Sequence, residues 1–180
     1  MSNKEMREAF KGAKLVDFTA SPHAGFEHMD KFGPEFIEMV RNKSNGSKAV
    51  VVIDHGFAAR YTGPVLVRDH INLSGNNPLV GPNHPAGERF PIVQGIYFSD
   101  ILKDCQQGVL AGLKEGVKPD SEEQQLLRTI GADVCSYNLV PSMLVAAHAG
   151  WKVLGIVLGE NSRLSEKQLA EIKELTGAGK

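Results

Sequence analysis

The stretch Arg68–Pro91 reads RDHINLSGNNPLVGPNHPAGERFP, and the rest of the chain is read outward from it. It follows an extended apolar segment, Val65-Leu66-Val67, and then turns polar through Asp69, His70, Asn72, Asn76, Asn77, Asn83 and His84. Glycines at 75, 81 and 87 and interspersed prolines set the backbone angles, so the pattern predicts a built loop rather than a helix. A loop of this length without periodicity is usually either functional or disordered. Ile71, Leu73, Leu79, Val80 and Phe90 give it apolar surface to bury, which argues for order.

Outside the loop, periodicity predicts alternating strands and helices. Residues 3–13 place Met6, Phe10 and Ala13 on one helical face, and Leu15-Val16-Asp17-Phe18 reads as a strand. Residues 19–33, with His23 and His28, read as a loop. Pro34 suits the first turn of a helix carrying Phe36, Ile37, Met39 and Val40, and Asn45-Gly46 marks a turn. Ala49–Ile53 is a β-branched apolar run, expected to be a strand buried on both faces, with Asp54-His55-Gly56 at its carboxyl end.

Residues 98–113 read as a helix with Ile101, Leu102, Cys105 and Val109 inward. Asp120 with Glu123 forms a capping-box signature for a helix that Gly131 ends. Val134–Val140 reads as a strand leading into a helix begun by Pro141. Trp151–Leu158 is another central strand, ending at Gly159-Glu160-Asn161, and residues 165–175 form a last amphipathic helix. The fold class is therefore α/β, with a mostly parallel or mixed central sheet flanked by helices. Residues 1–180 read as one domain, with no internal repeat.

Composition removes several function classes. A net charge of −1 gives no electrostatic case for nucleic acid or an anionic membrane surface. No apolar run reaches the roughly 20 residues of a membrane helix, and no leader pattern opens the chain. Cys105 and Cys135 lack metal-ligand spacing, so no metal site is expected. Two buried thiols fit a reducing, cytoplasmic setting.

The order DHINLSGNNPLVGPN then RFP resembles the central motif of the trimeric purine nucleoside phosphorylase family. A second set follows that family's pattern: Gly131-Ala132-Asp133, Val140-Pro141, Val145 through Gly150, and Val153-Leu154-Gly155. The resemblance runs over about residues 50–161. It implies a nucleoside phosphorylase fold, cleavage of the glycosidic bond of purine nucleosides without a cofactor, and a homotrimer. It also implies substrate-binding roles. Asn161 falls where the family hydrogen-bonds the purine, and Phe90 where a neighbouring subunit covers the substrate. Tyr137 and Asn138 stand at positions of methionine and serine that meet ribose and phosphate. His55, beside Asp54 at a strand end, joins them as a substrate-binding candidate, and in a hydrolase Asp54, His55 or His23 could serve a water.

The departures are as specific as the matches. The Gly-rich phosphate loop of the family is missing, and Ser21-Pro22-His23 is at best a remnant of its arginine-histidine segment. Pro119 occupies the position of the base-binding glutamate, with Asp120 engaged as a helix cap. The active site is therefore read as degenerate. Two functions remain: a nucleoside phosphorylase or hydrolase, or a catalytically inactive relative that weakly binds a purine base or nucleoside or serves as an oligomeric interaction module. No catalytic residue is assigned.

Overall fold

Ala49–Ala58 forms the strand on which the molecule is built, and its side chains alternate between two cores. Val50 and Val52 enter one core with Phe36, Val40, Leu139 and Met143. Ala49, Val51 and Ile53 enter the other with Phe10, Leu154, Ile156 and Ile172. The β-branched run is completely buried on both faces, as its composition predicts. The protein is described here from a computed structural model, which describes residues 3–20, 23, 25–42, 48–61, 63–102 and 104–177. The expected turn at Asn45-Gly46 and the residues Ser21-Pro22 lie outside the described residues.

The strands are β1 (Lys14–Asp17), β2 (Glu27–His28), β3 (Ala49–Ala58), β4 (Val65–Asn72), β5 (Gln106–Gly112), β6 (Val134–Ser136) and β7 (Lys152–Leu158). The helices are α1 (Asn3–Ala9), α2 (Pro34–Arg41), α3 (Ser121–Thr129), α4 (Leu139–His148) and α5 (Glu166–Thr176). The sheet runs β2-β1-β3-β6-β5-β4-β7, and β7 also pairs with β3, so five of the strands close on themselves. Along one edge β3 is parallel to β7. Along the other it is parallel to β1 over Val50–Ile53 and antiparallel to β6 over Gly56–Ala58. The sheet is thus mixed, with helices packed against it, in agreement with the α/β expectation.

Local signals placed several elements. Asp120 Oδ1 accepts from Glu123 N at 2.8 Å while Glu123 Oε2 accepts from Asp120 N at 2.9 Å, completing the capping box of α3. Gly131 follows with φ 95°, the left-handed conformation that suits glycine at a helix end. Ser165 and Gln168 cap α5 in the same way.

Three expectations are corrected. Residues 98–113 are not a helix: Gln106–Gly112 is β5, held between β4 and β6. Its glycines permit close packing, since a Cβ at Gly112 would lie 2.6 Å from Val140 Cγ2. The helical spacing of Ile101, Leu102, Cys105 and Val109 was coincidental; Ile101 and Leu102 are buried from an irregular segment. Secondly, β4 runs on to Asn72, with its register to β5 shifting between Val67 and Asp69. Ladder bonds carry polar side chains there, so the loop begins only at Leu73. Three of its apolar residues are not covered, with Leu73 48%, Val80 80% and Phe90 86% exposed, while Leu79 is half-buried. Thirdly, β6 stops at Ser136 and α4 begins at Leu139, so Pro141 lies inside its first turn, where a missing N–H costs little. Of the two thiols, Cys135 is buried but Cys105 only half-buried.

Candidate functional site

The two faces of β3 carry different chemistry at its carboxyl end. Asp54 continues the face of Val50 and Val52, toward α4, and is completely buried. His55 lies on the opposite face and is exposed. A cleft of about 680 Å³ opens there, lined by His55, Phe57, His23, Glu160, Asn161 and Arg163, among others. This volume is that of a small-molecule site, which is typically about 300–1,000 Å³.

Asp54 is the anchor behind the cleft. Its carboxylate accepts from Asn138 N at 2.8 Å, Asn138 Nδ2 at 3.1 Å and Leu139 N at 3.2 Å. A carboxylate therefore fills the amino terminus of α4, where free N–H groups and the helix dipole favour an anion. Burial pushes the Asp54 carboxyl up from its ordinary value, while the Asn138 hydrogen bonds and the neighbouring His55 pull it down. Asn138 Oδ1 in turn accepts from Phe32 N at 3.0 Å, so both ends of this amide are engaged within the protein.

Tyr137 reaches His55 by an unexpected route. Parallel strands would share a carboxyl edge, but β6 runs antiparallel to β3. Ser136 lies opposite Gly56, and this pairing brings Tyr137 against His55 and Phe57, each with ring centroids 6.0 Å away in edge-on geometry. Gly56 permits the approach, since a Cβ there would stand 1.9 Å from Cys135 O. The Tyr137 hydroxyl donates to Val117 O at 2.9 Å, and burial raises its pKa. Lys118 pairs with Glu160 at 2.6 Å and sits over the Phe57 ring at 5.2 Å, which joins the β5–α3 connection to the turn after β7.

Asn161 occupies that turn with φ 62°, a left-handed conformation that asparagine tolerates. It is exposed at the rim of the cleft. The structure thus brings His55 and Asn161 into one cleft, with Tyr137 beside His55. Asn138 lies on the other side of β3, held by Asp54. Phe90 stands apart, on the long loop beside Ala147 and His148.

One group escaped the sequence reading. Asp17, at the carboxyl end of β1, is completely buried and accepts from Thr19 N at 2.8 Å, His23 N at 2.8 Å and His23 Nδ1 at 2.7 Å. Its signal was an aspartate at a strand end with a histidine six residues on, inside what read as a plain strand followed by a loop. Among the described residues no group of three or more His, Cys, Asp or Glu side chains is placed to hold a metal. None of the described helices is long and apolar enough to cross a membrane.

No protein-family model matches the chain. It is 35% identical over 134 residues to purine nucleoside phosphorylase 1 of Bacillus subtilis (strain 168), covering 64% of this chain and 49% of that protein. The Bos taurus purine nucleoside phosphorylase is 37% identical over 136 residues, covering 64% of this chain and 47% of its own length. The chain is thus similar to purine nucleoside phosphorylases over 64% of its own length. It spans about half the length of the curated relatives it matches. Among solved structures, a Schistosoma purine nucleoside phosphorylase in complex with guanosine superposes with TM-score 0.64 at 25% identity, over 72% of this chain and 62% of that one. The Schistosoma mansoni enzyme in complex with adenosine gives TM-score 0.68 over 97% of this chain and 91% of that one. At 18% identity this second likeness speaks for the fold alone. The phosphorylase fold expected from the loop motif is therefore present.

Proposed function

We propose that this protein acts on purine nucleosides, cleaving their glycosidic bond in the cleft at the ends of β3 and β7. The observation that carries the reading is the placement of His55 and Asn161 in one cleft, with Tyr137 beside it, in a chain related to the phosphorylases. An amide donates and accepts at once, matching the adjacent acceptor and donor atoms of a purine. Phe57 and His55 offer ring surfaces to a heterocycle or sugar, and each such contact contributes about 1 kcal/mol. Binding on these terms is weak, roughly micromolar to millimolar.

The assembly belongs to the same proposal. The long loop exposes Val80, Phe90 and Ile92, and a homotrimer would cover them, with Phe90 meeting a neighbouring subunit's site. Asn138 supports the site from behind by fixing Asp54 rather than by meeting substrate. The two free thiols agree with a cytoplasmic setting. The test is release of free base from inosine, guanosine and adenosine, followed by chromatography, together with calorimetric titration of the bases. Absence of both turnover and binding at millimolar ligand overturns the reading.

A further inference from the structure

We infer that the nucleophile in this cleft is water, activated by His23, which Asp17 holds in place. The inference rests on the reading of the cleft as a nucleoside site and deepens it.

Asp17 pairs with Ile53 in the β1–β3 ladder and lies on the same face of the sheet as Ile53 and His55. That is the cleft face. Its carboxylate is completely buried and receives two backbone N–H groups as well as the imidazole. Such a carboxylate accepts only, so His23 Nδ1 carries the proton it donates across 2.7 Å. In the neutral ring the other nitrogen, Nε2, is then the one able to accept a proton. His23 lines the cleft with His55 and Asn161, and its side chain is 14% exposed. Phe26 packs beside the ring, at 5.7 Å between centroids, and helps fix its orientation. A base oriented by a buried acid is the arrangement that activates a weak nucleophile.

The surroundings favour water over a bound anion as that nucleophile. A phosphate dianion needs several donors and positive charge. Among the described residues lining the cleft, Arg163 is the single arginine or lysine, and Glu160 lies two positions before the serine that precedes it. The first N–H groups of α4 lie on the other side of β3 and are already taken by Asp54. Water has no such requirement. In the step, water oxygen bonds to C1′ of the nucleoside while His23 Nε2 takes a water proton. The N9–C1′ bond breaks, and its electron pair leaves with the purine. The proton on His23 passes to the departed base through solvent, so the products are free ribose and free purine.

The experiment follows inosine cleavage in ¹⁸O-labelled water with and without inorganic phosphate, using the full chain. The expected result is equal rates in both, ribose as product, and one labelled oxygen at C1. His23→Ala should lower kcat about a hundredfold or more, the range of general-base catalysis, with KM changed less than threefold. Added imidazole should restore part of that rate. Asp17 is a positioning residue, so Asp17→Asn should lower kcat at unchanged KM and alter the pH profile. Cleavage that requires phosphate and yields ribose 1-phosphate overturns the inference while leaving the nucleoside site standing. A folded His23→Ala variant with unchanged kcat overturns it too. Absence of cleavage of any purine nucleoside sinks the proposed function, and this inference with it.

Discussion

His148 Nε2 stands 3.0 Å from the amide oxygen of Asn83, tying the long loop to the last turn of α4. The oxygen can only accept, so Nε2 carries the proton and Nδ1 is left bare, buried and without a hydrogen-bond partner. Protonating Nδ1 would place a charge in a dry site near Arg41 and His84. Burial first, and then Arg41 and His84, lower the His148 pKa from its ordinary 6.5. The folded value lies below the unfolded one, so this contribution to stability is present above about pH 6.5 and is lost as pH falls below it. We expect the midpoint of urea unfolding to fall between pH 7 and pH 5, with hydrogen exchange rising first in residues 79–92. His148→Gln should flatten that slope. An unchanged slope in the variant would remove His148 as its source.

The same attachment depends on Gly87. A Cβ at this position would lie 1.5 Å from His148 O and 2.8 Å from its Nδ1. The first of these is backbone and cannot swing aside. Gly87→Ala should therefore push the loop off α4 and destabilise the protein by about 2 kcal/mol or more. Thermal melting checks it; a change below about 0.5 kcal/mol would show that the loop is not packed this closely.

Asp54 makes a sharper test of the site's foundation. It accepts three hydrogen bonds around the amino terminus of α4. Asp54→Asn keeps the size but turns an amide toward N–H donors, leaving at least one buried donor unmatched. The expected cost is about 2–3 kcal/mol. Asp54→Gly should do more: it vacates the helix amino terminus and should let the protein bind inorganic phosphate or sulfate, seen as a rise in melting temperature with added anion. A variant as stable as the parent, with no response to anion, would mean the carboxylate is not the cap.

What could be read in advance follows from the range of the interactions. The two-sided burial of Ala49–Ile53, the box at Asp120 and Glu123, and Gly131 are local patterns with one outcome each. β5 was misread because its strand character comes from neighbours on both sides, through glycines that meet Val65, Asp133 and Val140. Those contacts are distant in the chain. Tyr137 comes against His55 through the antiparallel pairing of β6 with β3, a long-range contact that residues 134–140 do not signal. The partnership of Asp17 with His23 needed the fold of the segment between them. Asn138 appeared as a ligand candidate because it stands at the position of the family's phosphate-binding serine; the structure shows its amide bound to Asp54 and Phe32.

The exposed loop supplies the final test, which concerns assembly. Val80 and Ile92 are each 80% exposed and Phe90 is 86% exposed, with Arg89 at 5.8 Å from the Phe90 ring. Large apolar side chains this exposed on one loop are expected to meet a partner surface. Covering one phenylalanine fully is worth about 1.5–3 kcal/mol, and a closed trimer repeats each contact three times. Phe90→Ser should therefore weaken association by about tenfold or more per interface without lowering the stability of the single subunit, because the ring touches little within its own chain. Sedimentation at micromolar concentration should show the parent as a trimer and the variant shifted toward monomer. If Phe90 also covers a neighbour's cleft, the same change raises KM for inosine, and that rise should persist at concentrations where the trimer is restored. A monomeric parent, or a variant with unchanged mass and KM, would remove both roles from Phe90.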